Sequence, residues 1–154
     1  HEVEENSPRP PQNGARPPLG TYSSRCDDKG RVRVPKELEQ YMRALEDEEF
    51  FVTTWDGSIG KIYPRSVWEE NRKALDMGRF VDLYGSLATI DNQGRLLVSP
   101  QLRRKLGIEN QPVFLRYDNE NIEIYSEAAL NASLERAEAS SASVLERLYE
   151  DGLK

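Results

Sequence analysis

Apolar and polar residues alternate along Val32-Arg33-Val34 and again along Ile122-Glu123-Ile124, the period of two that marks half-buried strands. The pattern around these stretches is written twice. Phe51-Val52-Thr53-Thr54-Trp55-Asp56-Gly57 corresponds to Val113-Phe114-Leu115-Arg116-Tyr117-Asp118-Asn119, and Lys61-Ile62-Tyr63 corresponds to Glu123-Ile124-Tyr125. Each copy therefore predicts strand, tight turn, strand, short helix, strand, turn, strand, with Asp56-Gly57 and Asp118-Asn119 at the second turn.

Helical spacing falls between and after these strands. Pro35 suits a first helical position, and the following run puts Leu38, Tyr41, Met42 and Leu45 on one face. Pro100 to Leu106 is the shorter counterpart, stopped by Gly107. A linker helix is expected from about Pro64, striped by Val67, Trp68, Asn71 and Leu75 and ended near Gly78. Ser126 is a fitting N-cap for a C-terminal helix carrying Leu130, Leu134, Ala137, Val144, Leu145 and Leu148. The polar Ser140-Ser141-Ala142-Ser143 leaves two readings, one helix with a weak middle or two helices. The stripe could pack on the same chain or on a neighbouring subunit.

The turn at the start of each copy is the most specific element. Cys26-Asp27-Asp28-Lys29-Gly30-Arg31 and Ile90-Asp91-Asn92-Gln93-Gly94-Arg95 share an apolar residue, Asp, two polar residues, Gly and Arg. Asp accepts hydrogen bonds from the turn's own amides, and Gly takes the positive φ that lets the hairpin close. Asp27, Gly30, Asp91 and Gly94 are accordingly read as turn-forming. An Arg held at a hairpin rim is well placed for an anion, because its planar fork matches phosphate oxygens or a guanine edge.

Composition changes the picture at the ends. Residues 1–20 hold five of the nine prolines and almost no large apolar side chains, so they are expected to form a disordered arm. The expected organisation is that arm, a first repeat with its linker helix over 21–76, a second repeat over 77–126, and an acidic helical tail over 127–154. Neither an apolar signal core nor a membrane-length run is present. The single Cys26 excludes an intrachain disulfide and suits a reducing cytosol.

The residue inventory argues against catalysis. The one histidine is His1, so a Ser-His-Asp triad and a His/Cys zinc cluster are both missing, and no Gly-rich phosphate loop occurs. No catalytic residue, metal ligand, cofactor or small-molecule substrate is assigned.

Net charge is −6, the wrong sign for a nucleic-acid binder, but its distribution matters more than its sum. Residues 25–36 hold Arg25, Lys29, Arg31, Arg33 and Lys36 against Asp27 and Asp28 only. Arg31 and Arg33 share one strand face while Val32 and Val34 take the other, which makes a basic stripe. In the second copy Arg95 is kept, Leu97 replaces the equivalent of Arg33, and positive charge moves to Arg103-Arg104-Lys105. The two copies are unequal.

The doubled D-x-x-G-R turn, followed by Val-Pro in one copy and Val-Ser-Pro-x-Leu-Arg in the other, resembles the MraZ family of bacterial transcriptional regulators over residues 19–126. The resemblance implies a mainly β fold with helices (α+β), in which two swapped-hairpin half-units of the AbrB/SpoVT type form one compact β-barrel, followed by a C-terminal helix. It implies a homo-oligomeric ring, cytoplasmic and nucleoid-associated, that binds repeated short sites in double-stranded promoter DNA of the division and cell-wall gene cluster, expected as a repressor. On this chain the family's DNA-facing motif positions fall on Lys29, Arg31 and Arg95. The charge map adds Arg33 and Lys36 as phosphate-neutralising and Arg103 as either a DNA contact or a structural ion pair. The rival reading is an AbrB-type antitoxin or interaction module that uses the acidic C-terminal helix to hold a protein partner.

Overall fold

The computed structural model describes residues 16–74 and 79–154. In chain order the elements are β1 (Thr21–Cys26), β2 (Arg31–Arg33), α1 (Lys36–Ala44), β3 (Phe50–Thr54), β4 (Ile59–Pro64), α2 (Arg65–Ala74), α3 (Arg79–Tyr84), β5 (Ser86–Ala88), β6 (Arg95–Leu97), α4 (Pro100–Leu106), β7 (Gln111–Asp118), β8 (Asn121–Ser126) and α5 (Glu127–Glu150). The strand, turn, strand, helix, strand, turn, strand order is present twice.

The strands do not pair within their own repeats alone. All pairs are antiparallel and run in the order β5-β3-β4-β8-β7-β1-β2-β6, so β1 lies against β7 of the second repeat and β5 against β3 of the first. A bridge between Ile90 and Leu96 brings the two ends of the sheet together. The result is a nearly closed eight-stranded barrel whose halves have exchanged their first strands, as the resemblance implied.

A local two-fold axis relates the halves. It passes beside Val32 and Leu96, equivalent residues that face each other across β2 and β6. It leaves the barrel beside Lys61 and Glu123, equivalent residues that face each other across β4 and β8. Along this axis Val32, Leu96, Ile62, Ile122 and Ile124 fill the interior, joined by Cys26, Leu38, Met42, Leu102, Val113 and Leu115. Close packing of branched side chains from both repeats means that neither repeat encloses this core alone.

Helices plug the barrel. Leu38 and Met42 of α1 are buried, with Tyr41 and Leu45 packed at the margin, as their spacing predicts. Pro35 is the N-cap of α1 and not its first helical residue. In α4 the Ser99 hydroxyl caps Leu102 N–H, Pro100 opens the helix, and Gly107 closes it in the left-handed conformation at φ 70°. Pro64 ends β4, so the linker helix begins at Arg65; the predicted Leu75 and Gly78 fall outside the described residues, as do residues 1–15.

Val67 and Trp68 of α2 form a second apolar cluster with Tyr63 and Val81, and Phe51 stacks on Trp68 with ring centroids 4.5 Å apart. Helix α3 has no counterpart in the sequence reading. It supplies Val81 to this cluster, and its backbone carbonyl accepts the buried Thr53 hydroxyl at 2.7 Å.

The tail is a single helix from Glu127 to Glu150, with Ser126 as its N-cap. Ser140, Ser141 and Ser143 do not break it, because each hydroxyl turns back onto a carbonyl of the preceding turn. Its base packs on β7 and β8, and none of its residues is fully buried. Leu134, Val144, Leu145 and Leu148 remain exposed on the chain.

Candidate nucleic-acid interface

Both D-x-x-G-R turns fold identically, and the Asp is the reason. Asp27 Oδ1 accepts the backbone N–H of Lys29 at 2.9 Å and of Arg31 at 2.8 Å, while Oδ2 accepts Arg31 Nε at 2.7 Å. Asp91 repeats the set with Gln93 N at 2.8 Å, Arg95 N at 2.9 Å and Arg95 Nε at 3.0 Å. Gly30 and Gly94 sit at φ 85° and 76°, donating to the carbonyls of Asp27 and Asp91.

The electrostatics follow from these contacts. For Asp27 partial desolvation works against ionisation, but the Arg31 and Lys29 amides and the Arg31 guanidinium outweigh it and lower the pKa. The Arg95 amide is the main cause of the lowered pKa of Asp91, with Gln93 N–H and the Arg95 side chain adding to it. Each Arg is thus aimed by its own turn, with one guanidinium edge on the Asp and the rest of the fork projecting from the rim.

The turns also clasp each other. Val34 N–H donates to Gly94 O and Val98 N–H donates to Gly30 O, both at 2.8 Å, a reciprocal pair about the local axis. Arg43 of α1 reaches across to Asp91 O at 2.8 Å while holding Glu39. Arg103 of α4, the equivalent of Glu39, lies under the first turn; it binds Glu109 at 2.9 Å and Val98 O at 3.0 Å. Its side chain is largely covered and is held in this ion pair.

Arg31, Arg33, Lys36 and Arg95 come together with Arg25 around one open concavity of about 700 Å³, whose other lining includes Ser23, Ser24, Asp27 and Glu39. Five cations face two carboxylates, and Asp27 is already spent on Arg31. Arg33 lies directly across from Arg95 and donates to Gln93 O at 2.6 Å. Lys29 stands exposed at the tip of its turn, outside this lining. Arg25, which the sequence reading counted in the basic stretch but not in the site, enters through its outward position on β1 and is anchored to Asn110 O at 2.9 Å.

Other chemistry is thin here. Burial, together with the neighbouring Asp27 charge, pushes the Cys26 thiol up to about 11, so it stays protonated near neutrality. No helix among the described residues is long and apolar enough to cross a membrane.

A duplicated, strand-exchanged barrel with a cationic concavity where its two turns meet defines a protein of the double swapped-hairpin class. Residues 86–151 match the family described as "MraZ protein, putative antitoxin-like". Among curated proteins, the chain is similar to the transcriptional regulator MraZ of Acidobacterium capsulatum, 31% identical over 56% of this chain and 66% of that protein. Its likeness to the same-named regulator of Solidesulfovibrio magneticus is 30% over 61% of this chain and 70% of that protein. For Methylobacillus flagellatus the figures are 28%, 76% and 86%. The chain belongs to the MraZ family.

Proposed function

We propose that this chain is a transcriptional regulator that binds double-stranded promoter DNA through the concavity at the β2·β6 junction, as a homo-oligomer on repeated short sites. One observation carries this reading: two turns far apart in sequence converge so that Arg31, Arg33, Lys36 and Arg95 serve one surface. The family's regulators supply the functional context. Repression of the division and cell-wall gene cluster, and assembly as a ring, are the finer parts of the proposal.

A protomer with a handful of phosphate contacts binds weakly; tethered copies on repeated sites gain through effective concentration. Arg31 and Arg95, oriented by Asp27 and Asp91, reach base edges or phosphates, while Lys29 and Lys36 neutralise phosphates. The test is a mobility shift on the DNA upstream of the protein's own gene, comparing the full chain with Arg31→Ala and Arg95→Ala. Binding lost with the fold retained supports the reading; unchanged binding contradicts it.

The exposed apolar residues of α5 favour a second role for the tail, as a protein-binding helix. Removing residues 135–154 separates the two: DNA binding per protomer persists if the concavity acts alone.

A further inference from the structure

Every residue of α5 from Leu134 onward is exposed, whereas Ala129, Leu130 and Ser133 at its base are half-buried on the barrel. The helix runs unbroken for 24 residues, about 36 Å, so its outer half stands clear of its own chain and cannot fold back onto it. Val144, Leu145 and Leu148 share one face there, and all three are exposed. Glu135, Glu138 and Glu146 follow one border of that stripe, and Arg136 and Arg147 follow the other.

A surface of complementary character lies on the barrel. Leu83 and Tyr84 of α3 and Gln101, Arg104 and Lys105 of α4 line an open groove of about 590 Å³. Leu83 is 66% exposed, and Arg104 and Lys105 are exposed with no ion pair among the described residues. The local axis carries the α4 wall of this groove to Glu37, Gln40 and Tyr41 of α1, which bring a carboxylate and no cation. Among the described residues the cationic groove is therefore made by the second repeat only.

Resting on the homo-oligomer reading above, we propose that the outer half of α5 docks in the α3·α4 groove of a second copy of this chain. An amphipathic helix binds a groove by laying its apolar face on the floor and its charged border against the rim. Val144, Leu145 and Leu148 cover Leu83, while the acidic border of α5 faces Arg104 and Lys105. Charge complementarity selects this occupant, because a helix with a basic border would be repelled. Each chain offers one groove and one tail, so the contact is heterologous: it leaves a free groove at one end and a free tail at the other, and further copies add until the row closes. A contact of this size is at the weak end for protein interfaces, and copies part in dilute solution such as that of a thermal scan. Held side by side on repeated sites of one duplex, they meet at an effective concentration on the order of millimolar.

The test is sedimentation velocity of the full chain from low-micromolar to high-micromolar concentration, with circular dichroism to confirm folding. One variant reverses the charge of the groove, Arg104→Glu with Lys105→Glu; another spoils the stripe, Leu145→Asp with Leu148→Asp. The wild type should assemble beyond pairs as concentration rises, and each variant alone should associate roughly tenfold more weakly or worse. Mixed together, the two variants should form pairs and nothing larger, because only one intact tail and one intact groove can meet. If either variant assembles like the wild type, or the mixture stays single, the docking is overturned while the homo-oligomer reading stands. A wild type that remains a single copy throughout removes that reading first, and the docking with it. Should the stripe variant not fold, removal of residues 135–154 leaves a groove without a tail and carries the same expected result; Leu83→Asp does the same for the groove.

Discussion

Lys61 and Glu123 occupy equivalent places in the two repeats, yet they bind each other: Lys61 Nζ donates to Glu123 Oε2 at 2.9 Å across β4 and β8. In a symmetric pair of identical copies the residue beside the axis meets itself, and like charges would face each other. Duplication within one chain lets the two positions diverge into a complementary pair. Glu123 is 7% exposed and also accepts Arg116 Nη1 at 2.7 Å and the Tyr125 hydroxyl at 2.6 Å.

Glu123→Gln keeps the shape but leaves Lys61 facing a neutral group in a covered site. It should cost about 3 kcal/mol, the range for removing one partner of a buried pair. Lys61→Met should cost less, because Arg116 and Tyr125 still serve the carboxylate. Urea unfolding midpoints compare the two; an equal, small loss would show that the pair contributes little.

Much of this was legible in the sequence, and the reasons divide cleanly. Local chemistry announced the turns: Asp27 with Gly30, and Asp91 with Gly94, close in sequence and bond as their spacing requires. The α1 and α4 core faces were equally local. The exchange of β1 and β5 was legible only through the family resemblance, since the strands pair with segments some ninety and thirty-five residues away. No period within a strand encodes its partner. Likewise the sequence aligned Lys61 with Glu123 but could not make them neighbours. Helix α3 was missed because Arg79–Tyr84 spans under two turns, too few to show a helical period.

Gly30 and Gly94 should respond differently to Ala. Both need positive φ, but a Cβ at Gly30 meets Val98 O at 2.6 Å as well as the Arg103 side chain, whereas at Gly94 it meets the flexible end of Glu39 at 2.7 Å. Backbone carbonyls cannot swing away; carboxylates can. Gly30→Ala should cost about 3 kcal/mol and Gly94→Ala about 1–2 kcal/mol by thermal unfolding. The reverse order would contradict the clasp between the turns.

Acid should loosen both turns. Asp27 and Asp91 have lowered pKa values in the folded chain, so their contribution to stability is complete above the unfolded carboxylate pKa of about 3.9 and is lost as pH falls below it through the folded values. Asp27→Asn with Asp91→Asn should flatten the decline in unfolding midpoint between about pH 4 and pH 2 relative to the parent. A parent and variant with parallel declines would place the acid sensitivity elsewhere.

The outer part of α5 makes no stabilising demand on the barrel. Removing residues 135–154 should move the thermal midpoint by less than about 3 °C. A larger drop would mean that Val144, Leu145 and Leu148 are covered in solution.

The most direct test of DNA binding at the β2·β6 junction is the salt dependence of affinity for the upstream duplex, measured by fluorescence anisotropy. With roughly four phosphate contacts per engaged protomer, log K against log salt should have a slope near −3.6, and Lys29→Ala with Lys36→Ala should make it shallower by about 1.8. A slope near zero, or one that the double variant leaves unchanged, would contradict an interface built on these cations.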